Sequence, residues 1–181
     1  TRVCLLLSLL LITGLVSAQP GELRKKRIIF DQLLENQSLS QSSINCVLQD
    51  HDGFLWIGTF SGLIRYDGYK TTVFHSENQP GKIQSNKIIT LFEDREGYLW
   101  IGTHMGGLFR YDKHRNEFEH FGHKKDDPRS LSNNNVWAIE EDQHGNLWIG
   151  TETGLNILRK GKPGFERISK VNTPSLSHDF I

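Results

Sequence analysis

The sequence has 181 residues, and 21 Lys and Arg residues balance 21 Asp and Glu residues. A chain of this length is long enough to bury the hydrophobic core of one domain. Nucleic-acid binding normally requires a basic face, and the formal net charge of +0 gives no sign of one. We therefore expect that this segment binds no nucleic acid.

The first 27 residues differ in composition from the rest of the chain. Arg2 precedes an apolar run over residues 3–16, and small residues follow it up to Ala18. The run is shorter than the about 20 apolar residues that cross a bilayer, so residues 1–18 are interpreted as a cleaved secretory signal peptide. An uncut signal anchor is the alternative, but it would place the basic leader, residues 19–27, outside the membrane against the positive-inside tendency. We therefore expect an exported protein.

A motif of five residues, Leu-Trp-Ile-Gly-Thr, recurs at spacings of 44 and 48 residues. Each copy follows an Asp-x-x-Gly segment and precedes a further Gly, and agreement at so many positions is typical of a structural repeat. The copies are Leu55–Thr59, Leu99–Thr103 and Leu147–Thr151; the preceding acids are Asp50, Asp94 and Asp142, and the following glycines are Gly62, Gly106 and Gly154.

The pattern within each repeat predicts four short antiparallel strands. In the first repeat, runs rich in β-branched and aromatic residues lie at about 44–49, 54–59, 62–67 and 70–76, separated by Gly or Asp turns. The second run is apolar at consecutive positions, which indicates that both faces of the sheet are covered. A period of about 40 to 50 residues with four strands per repeat is typical of a β-propeller.

The chain is therefore predicted to be all-β, an incomplete segment of a larger β-propeller with three four-stranded blades and the start of a fourth. Propellers need about 4 to 8 blades to close, so the remaining blades are expected partners. Residues 28–34 align with 72–78, the outer strand of the first repeat, and we expect them to form the outer strand of the last blade in the intact protein. The propeller covers 28–181, with repeats at about 39–82, 83–130 and 131–175 and a partial repeat at 176–181.

The repeated Trp and Gly residues are assigned to the core. The tryptophans recur at one strand position between Leu and Ile, which favours core packing over a platform for sugar rings. The glycines lie near strand ends, where close approach of a neighbouring blade explains them. Cys46 aligns with Thr90 and Ala138, so it is likewise predicted to be a small core residue. The predicted structural core comprises Trp56, Gly58, Trp100, Gly102, Trp148 and Gly150.

The motif Asp-x-x-Gly-x-Leu-Trp-Ile-Gly-Thr, followed shortly by Gly-Leu, resembles the two-component regulator propeller repeat over about residues 28–181. The resemblance implies the periplasmic sensor region of a hybrid or one-piece histidine kinase, tethered to the inner membrane through downstream sequence. It also implies an oligosaccharide or another small ligand, the downstream domains of the parent protein, and dimerisation through that parent. Similar repeats attached to diguanylate cyclase modules, or found in secreted interaction scaffolds, remain alternatives.

No catalytic residue, cofactor or metal is assigned to the chain. His114, His120 and His123 form the densest group of histidines, but they lack the ordered spacing of a structural zinc site. The segment 50–53 faintly resembles the start of a calcium loop, yet the later oxygen ligands are absent and a hairpin turn is favoured. A propeller lyase or glycosidase is the enzymatic alternative, although no His or carboxylate pair fixes a role for such chemistry.

Ligand binding is expected at the channel mouth formed by the loops between second and third strands and the loops that join each outer strand to the next inner strand, because the repeats diverge there amid strict framework residues. Loops on a rigid scaffold vary without disturbing the core, although unconstrained loops would diverge as well. The segments before the inner strands, at 42–43, 86–87 and 134–135, also differ. Trp137 has no aromatic counterpart in the other repeats, and packing between blades is favoured for it over ligand contact. The candidate ligand-binding residues are Phe60, Ser61, His104, Met105, Glu152 and Thr153.

Overall fold

The computed structural model of the chain describes residues 43–168, and these fold into strands and loops only. Within this range, twelve strands form three antiparallel sheets of four strands, each in sequential order. Since residues 43–168 contain no helix, none there is long and apolar enough to cross a membrane. Blade 1 contains β1 (Ile44–Gln49), β2 (Leu55–Thr59), β3 (Leu63–Tyr66) and β4 (Thr71–Phe74); blade 2 contains β5 (Ile88–Glu93), β6 (Leu99–Thr103), β7 (Leu108–Asp112) and β8 (Glu117–Phe121); blade 3 contains β9 (Val136–Glu141), β10 (Leu147–Thr151), β11 (Gly154–Leu158) and β12 (Phe165–Ile168).

The predicted propeller architecture is confirmed for the described residues. The expected strands of the first repeat coincide with β1 to β4 to within two residues at each end. The third strand also forms in blade 3, although Ile157 and Leu158 replace the Arg-Tyr pair of the other repeats. The predicted signal peptide, basic leader, outer strand 28–34 and partial repeat 176–181 lie outside the described residues.

The blades stack through their first strands. β1 packs against β5 and β5 against β9, so these are the inner strands of consecutive blades. One buried cluster, built around Trp56, Ile88 and Phe109, fills the space between blades 1 and 2. A second cluster, built around Trp100 and Val136, does the same between blades 2 and 3. Each blade therefore completes its core only with its neighbour, as expected for a repeat architecture.

Glycines in the second strands make this close stacking geometrically feasible. A Cβ atom on Gly58 would lie 2.6 Å from Cγ2 of Ile88, and one on Gly102 would lie 2.8 Å from Cγ1 of Val136. Both partners begin the inner strand of the next blade. Real Cβ contacts are almost never this short, so the spacing between blades depends on Gly at this position.

Each inner strand contains one extra residue relative to the second strand of its blade. The register of β1 on β2 leaves Asn45 without a cross-strand partner. The same shift leaves Ile89 unpaired in β5 and Trp137 unpaired in β9. A β-bulge of this kind bends the strand and re-aims the side chain that it carries. The bulges lie at the start of the inner strands, next to loops at which the repeats diverge.

Candidate functional site

The loops between second and third strands are anchored by one repeated hydrogen bond. In each described blade, the hydroxyl of the Thr that ends the second strand donates to a Gly carbonyl across the loop. These threonines are fully buried, so the framework fixes both ends of the loop and leaves the residues between them free to differ. The donor–acceptor distances are 3.0 Å for Thr59–Gly62, 2.7 Å for Thr103–Gly107 and 2.8 Å for Thr151–Gly154.

These loops are also tied to the segments that enter the inner strands. The backbone N–H of His104 donates to the carbonyl of Lys87 at 2.9 Å, and that of Glu152 donates to the carbonyl of Asn135 at 3.1 Å. Loop and inner strand therefore form a continuous surface in blades 2 and 3. We call this surface the loop rim and define it as Phe60, Ser61, His104, Met105, Glu152 and Thr153 together with residues 84–87 and 132–135.

Asn135 joins the loops of neighbouring blades. Its Oδ1 accepts the backbone N–H of Met105 in blade 2 at 2.6 Å, while its Nδ2 donates to Oε2 of Glu152 in blade 3 at 2.5 Å. Sequence divergence pointed to residues 134–135 as variable, but it gave no signal for a bond that crosses between blades. Asn135 therefore links the backbone of Met105 to the carboxylate of Glu152.

A cavity of about 430 Å³ opens on the loop rim between blades 1 and 2. It brings together three of the predicted ligand-binding residues, Phe60, His104 and Met105, with polar side chains from the segment before β5. Phe60 is 50% exposed and Met105 is 69% exposed, although both are large and apolar. Exposed apolar side chains beside polar ones are typical of small-molecule sites. The other lining residues are Ser76, Gln84, Ser85, Asn86, Lys87 and Gly106.

The remaining predicted residues do not line this cavity. Ser61 donates its backbone N–H to Oγ1 of Thr59 at 2.9 Å, and Thr153 donates its hydroxyl to the carbonyl of Ser132 at 3.1 Å. Glu152 connects to the cavity through Asn135 and Met105. The predicted set therefore divides into a cavity group, Phe60, His104 and Met105, and a pair in blade 3, Glu152 and Thr153, while Ser61 is bonded within its own loop.

Met105 adopts a backbone conformation that is rare for its residue type. Its φ of 65° lies in the left-handed region, which disfavours residues other than Gly. The hydrogen bond from its N–H to Asn135 holds it there. Strain of this kind persists only where the surroundings enforce it, and it clusters at binding and switch regions.

Trp137 contacts blade 2 through His104, which is one of the residues that line the cavity. The ring centroids of Trp137 and His104 are 6.3 Å apart in an edge-to-face arrangement. Trp137 is 38% exposed, and the fourth repeat expected to follow blade 3 lies outside the described residues. Within residues 43–168, Nδ1 of His104 is buried and has no hydrogen-bond partner.

The repeated tryptophans lie in a different environment. Trp56 and Trp100 are 0% and 2% exposed, whereas Trp148 in blade 3 is half-buried. Each donates its indole N–H to the Asp that begins the preceding turn. Sequence reasoning assigned these acids to turns and missed the indole bond, although Asp and Trp recur six residues apart in every repeat. The donor–acceptor distances are 2.8 Å for Trp56–Asp50, 2.7 Å for Trp100–Asp94 and 3.1 Å for Trp148–Asp142.

The segment 50–53, which faintly resembles a calcium loop, is a turn whose carboxylates bind an ammonium group. Nζ of Lys113 lies 2.9 Å from Oδ2 of Asp50, 2.9 Å from Oδ2 of Asp52 and 2.6 Å from Oε1 of Glu93. Burial alone would lower the pKa of Lys113, but the bonds to these carboxylates outweigh it and raise the pKa. Lys113 therefore fastens blade 2 to the turn of blade 1.

Two of the three histidines considered for metal binding direct a ring nitrogen to a backbone carbonyl. Nε2 of His120 lies 2.8 Å from the carbonyl of Gly106, and Nδ1 of His123 lies 2.8 Å from the carbonyl of Leu131. Among the described residues, no group of three or more His, Cys, Asp or Glu side chains has the geometry of a metal site. These histidines hold loops in place.

Together, the sheet order, the stacking of inner strands and the repeated turns define residues 43–168 as consecutive blades of a β-propeller. Segments 38–61, 82–105 and 130–153 match the profile of the family described as "Two component regulator propeller". The matched segments are two component regulator propeller repeats. No curated protein sequence matches the chain.

Two solved structures of similar proteins come from B. thetaiotaomicron. One is the extracellular domain of a protein assigned as the hybrid two component system BT3049, with 28% identity and a TM-score of 0.70 over 76% of this chain. The other is the extracellular domain of BT4673, assigned as a one component system, with 26% identity and a TM-score of 0.63 over 77% of this chain. The chain spans only 20% of each of these structures.

A more distant likeness concerns the fold alone. A streptogramin B lyase structure superposes with a TM-score of 0.55 over 74% of this chain and 43% of that one, at 15% identity. The propeller fold hosts unrelated functions, so this likeness assigns no activity.

Proposed function

We propose that this chain forms part of the extracytoplasmic, ligand-sensing region of a two-component signalling protein, and that the ligand docks on the loop rim. The repeat family and the extracellular domains from B. thetaiotaomicron support the sensor role. The chain itself binds rather than catalyses. We propose further that its parent is a histidine kinase whose sensor region lies in the periplasm, that downstream sequence anchors this parent in the inner membrane, and that dimerisation occurs through the parent.

The observation that carries the proposal is the cavity of about 430 Å³ beside exposed Phe60 and Met105. Its walls come from the loops that vary between repeats, and the second strands β2 and β6, which lead into two of these loops, are buried over most of their length. A rigid scaffold with variable loops is the usual arrangement of a binding site. A small ligand, such as an oligosaccharide, is the occupant that we propose.

The hydrogen bonds of Asn135 provide a route by which occupancy is communicated. A ligand that moves Met105 breaks or reorients the bond from its N–H to Asn135, and Asn135 also holds Glu152. Binding at the cavity thus alters the loop of the next blade. A propeller carries such a change around its ring because every blade packs on its neighbour.

The test is isothermal titration calorimetry of the complete ectodomain with a panel of oligosaccharides. We expect His104→Ala and Glu152→Ala each to weaken binding by about tenfold, which corresponds to about 1.4 kcal/mol. Tyr69→Ala is the matched control, because Tyr69 is 98% exposed in the β3–β4 turn, outside the loop rim. If an oligosaccharide binds and neither rim substitution changes its affinity, the loop rim is not the site.

A further inference from the structure

A second cavity, of about 650 Å³, opens between blades 1 and 2 at the end of the blades that carries the Asp-x-x-Gly turns. Phe54 and Arg65 line it from blade 1, and Tyr98 and Lys113 line it from blade 2. Both walls of this cavity therefore belong to blades that the structure describes. A cavity of this size can hold a small molecule.

Arg65 lines this cavity with N–H donors that the described residues do not use. Its guanidinium carbon lies 5.0 Å from the ring centroid of Phe54 and 5.7 Å from that of Trp56, so cation–π contacts hold the group in place. Within residues 43–168, the side chain of Arg65 makes no hydrogen bond and no ion pair. A guanidinium group stays charged and has five N–H donors whose geometry matches a carboxylate. The donors of Arg65 are therefore available to an anion from outside the chain.

The equivalent arginine of blade 2 shows how a carboxylate binds at this position. Arg110 also lies over two aromatic rings of its own blade. On the neighbouring strand it faces Glu119, and its Nη2 donates a hydrogen bond to Oε2 of that residue. Arg65 instead faces Thr72, which has no carboxylate. Blade 2 thus supplies its own anion to the stacked guanidinium group, whereas blade 1 does not.

The other charges of the cavity limit the ligand to a monoanion. Each carboxylate that lines the cavity has a basic partner: Lys113 for Asp52 and Glu93, Lys160 for Glu96, and Arg115 for Asp112. Lys113 also binds Asp50 and thus serves three carboxylates, which leaves an excess of negative charge beside it. This excess repels a dianion more strongly than a monoanion.

We infer that Arg65 binds the carboxylate of a small monocarboxylic acid in the cavity between blades 1 and 2. The N–H groups of the guanidinium donate to the carboxylate oxygens, as those of Arg110 do to Glu119, and the apolar part of the acid lies in the cavity beside Phe54 and Tyr98. The site is separate from the loop rim, and the inference does not depend on the proposed function.

The experiment uses the complete ectodomain with benzoate, phenylacetate and hexanoate as probes, and saturation-transfer difference NMR measures their affinities. We expect at least one acid to bind at least about tenfold more tightly than its uncharged amide, and phthalate, a dianion, to bind more weakly than benzoate. Arg65→Met should weaken binding by at least about tenfold, and Arg65→Lys, which keeps the charge but loses the planar fork, should have an intermediate effect. Thermal unfolding of each variant checks that the fold is retained.

Substitutions at Thr72 separate a binding role of Arg65 from a structural one, because they leave the arginine and its aromatic contacts in place. Thr72→Glu places a carboxylate opposite Arg65, as Glu119 stands opposite Arg110, and should abolish binding of the acid. Thr72→Gln, of matched size but uncharged, should bind within about threefold of the wild type. The inference is overturned if no acid binds more tightly than its amide, or if Thr72→Glu binds within twofold of the wild type.

Discussion

A single carboxylate organises the turn and the core of each described blade. In blade 2, Oδ1 of Asp94 accepts the backbone N–H groups of Glu96 and Tyr98, and Oδ2 accepts the indole N–H of Trp100. The acid is buried, and so is the ring that it holds. Burying this polar group is tolerated because both of its oxygens are satisfied. The Asp thus positions the largest side chain at the interface between blades.

Removal of this ring should be costly. We expect Trp100→Ala to lower the free energy of unfolding by about 3 to 5 kcal/mol, because it empties a large buried site and leaves Asp94 without its indole partner. Denaturant unfolding followed by circular dichroism measures the change. Tyr69→Ala, at a fully exposed position, is the control. A loss below about 1 kcal/mol would mean that the ring contributes little to the core.

Acid should weaken the same turns. Hydrogen bonds from the side chain and backbone of Asn146 lower the pKa of Asp142. In Asp50, burial acts to raise the pKa, but bonds from Trp56 and Lys113 outweigh it and the pKa is lowered. Groups with a lowered folded pKa stabilise the protein above the unfolded value of about 3.9, and this stability is lost as the pH falls through the folded pKa. We expect the denaturant concentration at the unfolding midpoint to decrease as the pH is lowered below about 4. This decrease should be smaller in Asp142→Asn than in the wild type. An equal fall in both proteins would contradict this assignment.

Sequence reasoning reached the turn role of these acids because Asp-x-x-Gly is a local pattern. It missed Lys113 and Asn135, whose partners lie in another blade. Such contacts depend on the stacking distance and on side-chain rotamers, and neither leaves a periodic trace in the sequence. Divergence between the repeats alone predicted Phe60, His104 and Met105 as ligand-binding residues, and the structure adds that all three line one cavity.

At the scale of elements, the second strand and the next inner strand set the blade spacing. Consecutive apolar residues in Leu-Trp-Ile-Gly-Thr predicted a strand covered on both faces, and β6 is buried along its whole length. The bulge at Trp137 could not be predicted in this way, because a one-residue shift in register depends on the partner strand. The position of a strand can thus be predicted from the local sequence, whereas the position of a bulge depends on the tertiary structure.

A methyl group at the Gly of β6 should disturb the stacking of blades 2 and 3. A Cβ on Gly102 would lie 2.5 Å from Cγ2 of Thr90 and 2.8 Å from Cγ1 of Val136. We expect Gly102→Ala to lower the free energy of unfolding by about 1 to 3 kcal/mol through overpacking. Thr90→Ser removes the nearest methyl group, so the double variant should regain part of the loss. Equal losses in Gly102→Ala and in the double variant would indicate that Thr90 is not the source of strain.

At the scale of the molecule, polar contacts at one end of the blades repeat from one interface to the next. The carboxylate of Glu93 in blade 2 accepts the backbone N–H of His51 in blade 1 at 2.8 Å. The carboxylate of Glu141 in blade 3 accepts that of Arg95 in blade 2 at 3.0 Å. The opposite end carries the loop rim. At one end of the blades, the same hydrogen bond between a backbone N–H and a Glu carboxylate therefore joins each pair of neighbouring blades. At the other end, the residues of the loop rim differ from blade to blade.

The last prediction concerns the sheet face of blade 1 that points away from blade 2. Ile44 and Val47 are 57% and 56% exposed, although Ile88 and Val136, the counterparts of Ile44, are 0% exposed against the preceding blade. An apolar sheet face of this kind tends to associate when nothing covers it. We expect the 181-residue chain, expressed alone, to self-associate with rising concentration in sedimentation velocity experiments. Substituting both residues, in Ile44→Lys/Val47→Lys, should shift the chain towards monomer, whereas Tyr69→Lys should not. A wild-type chain that stays monomeric over a wide concentration range would refute the prediction, and association unchanged in the double variant would place the contact on another surface.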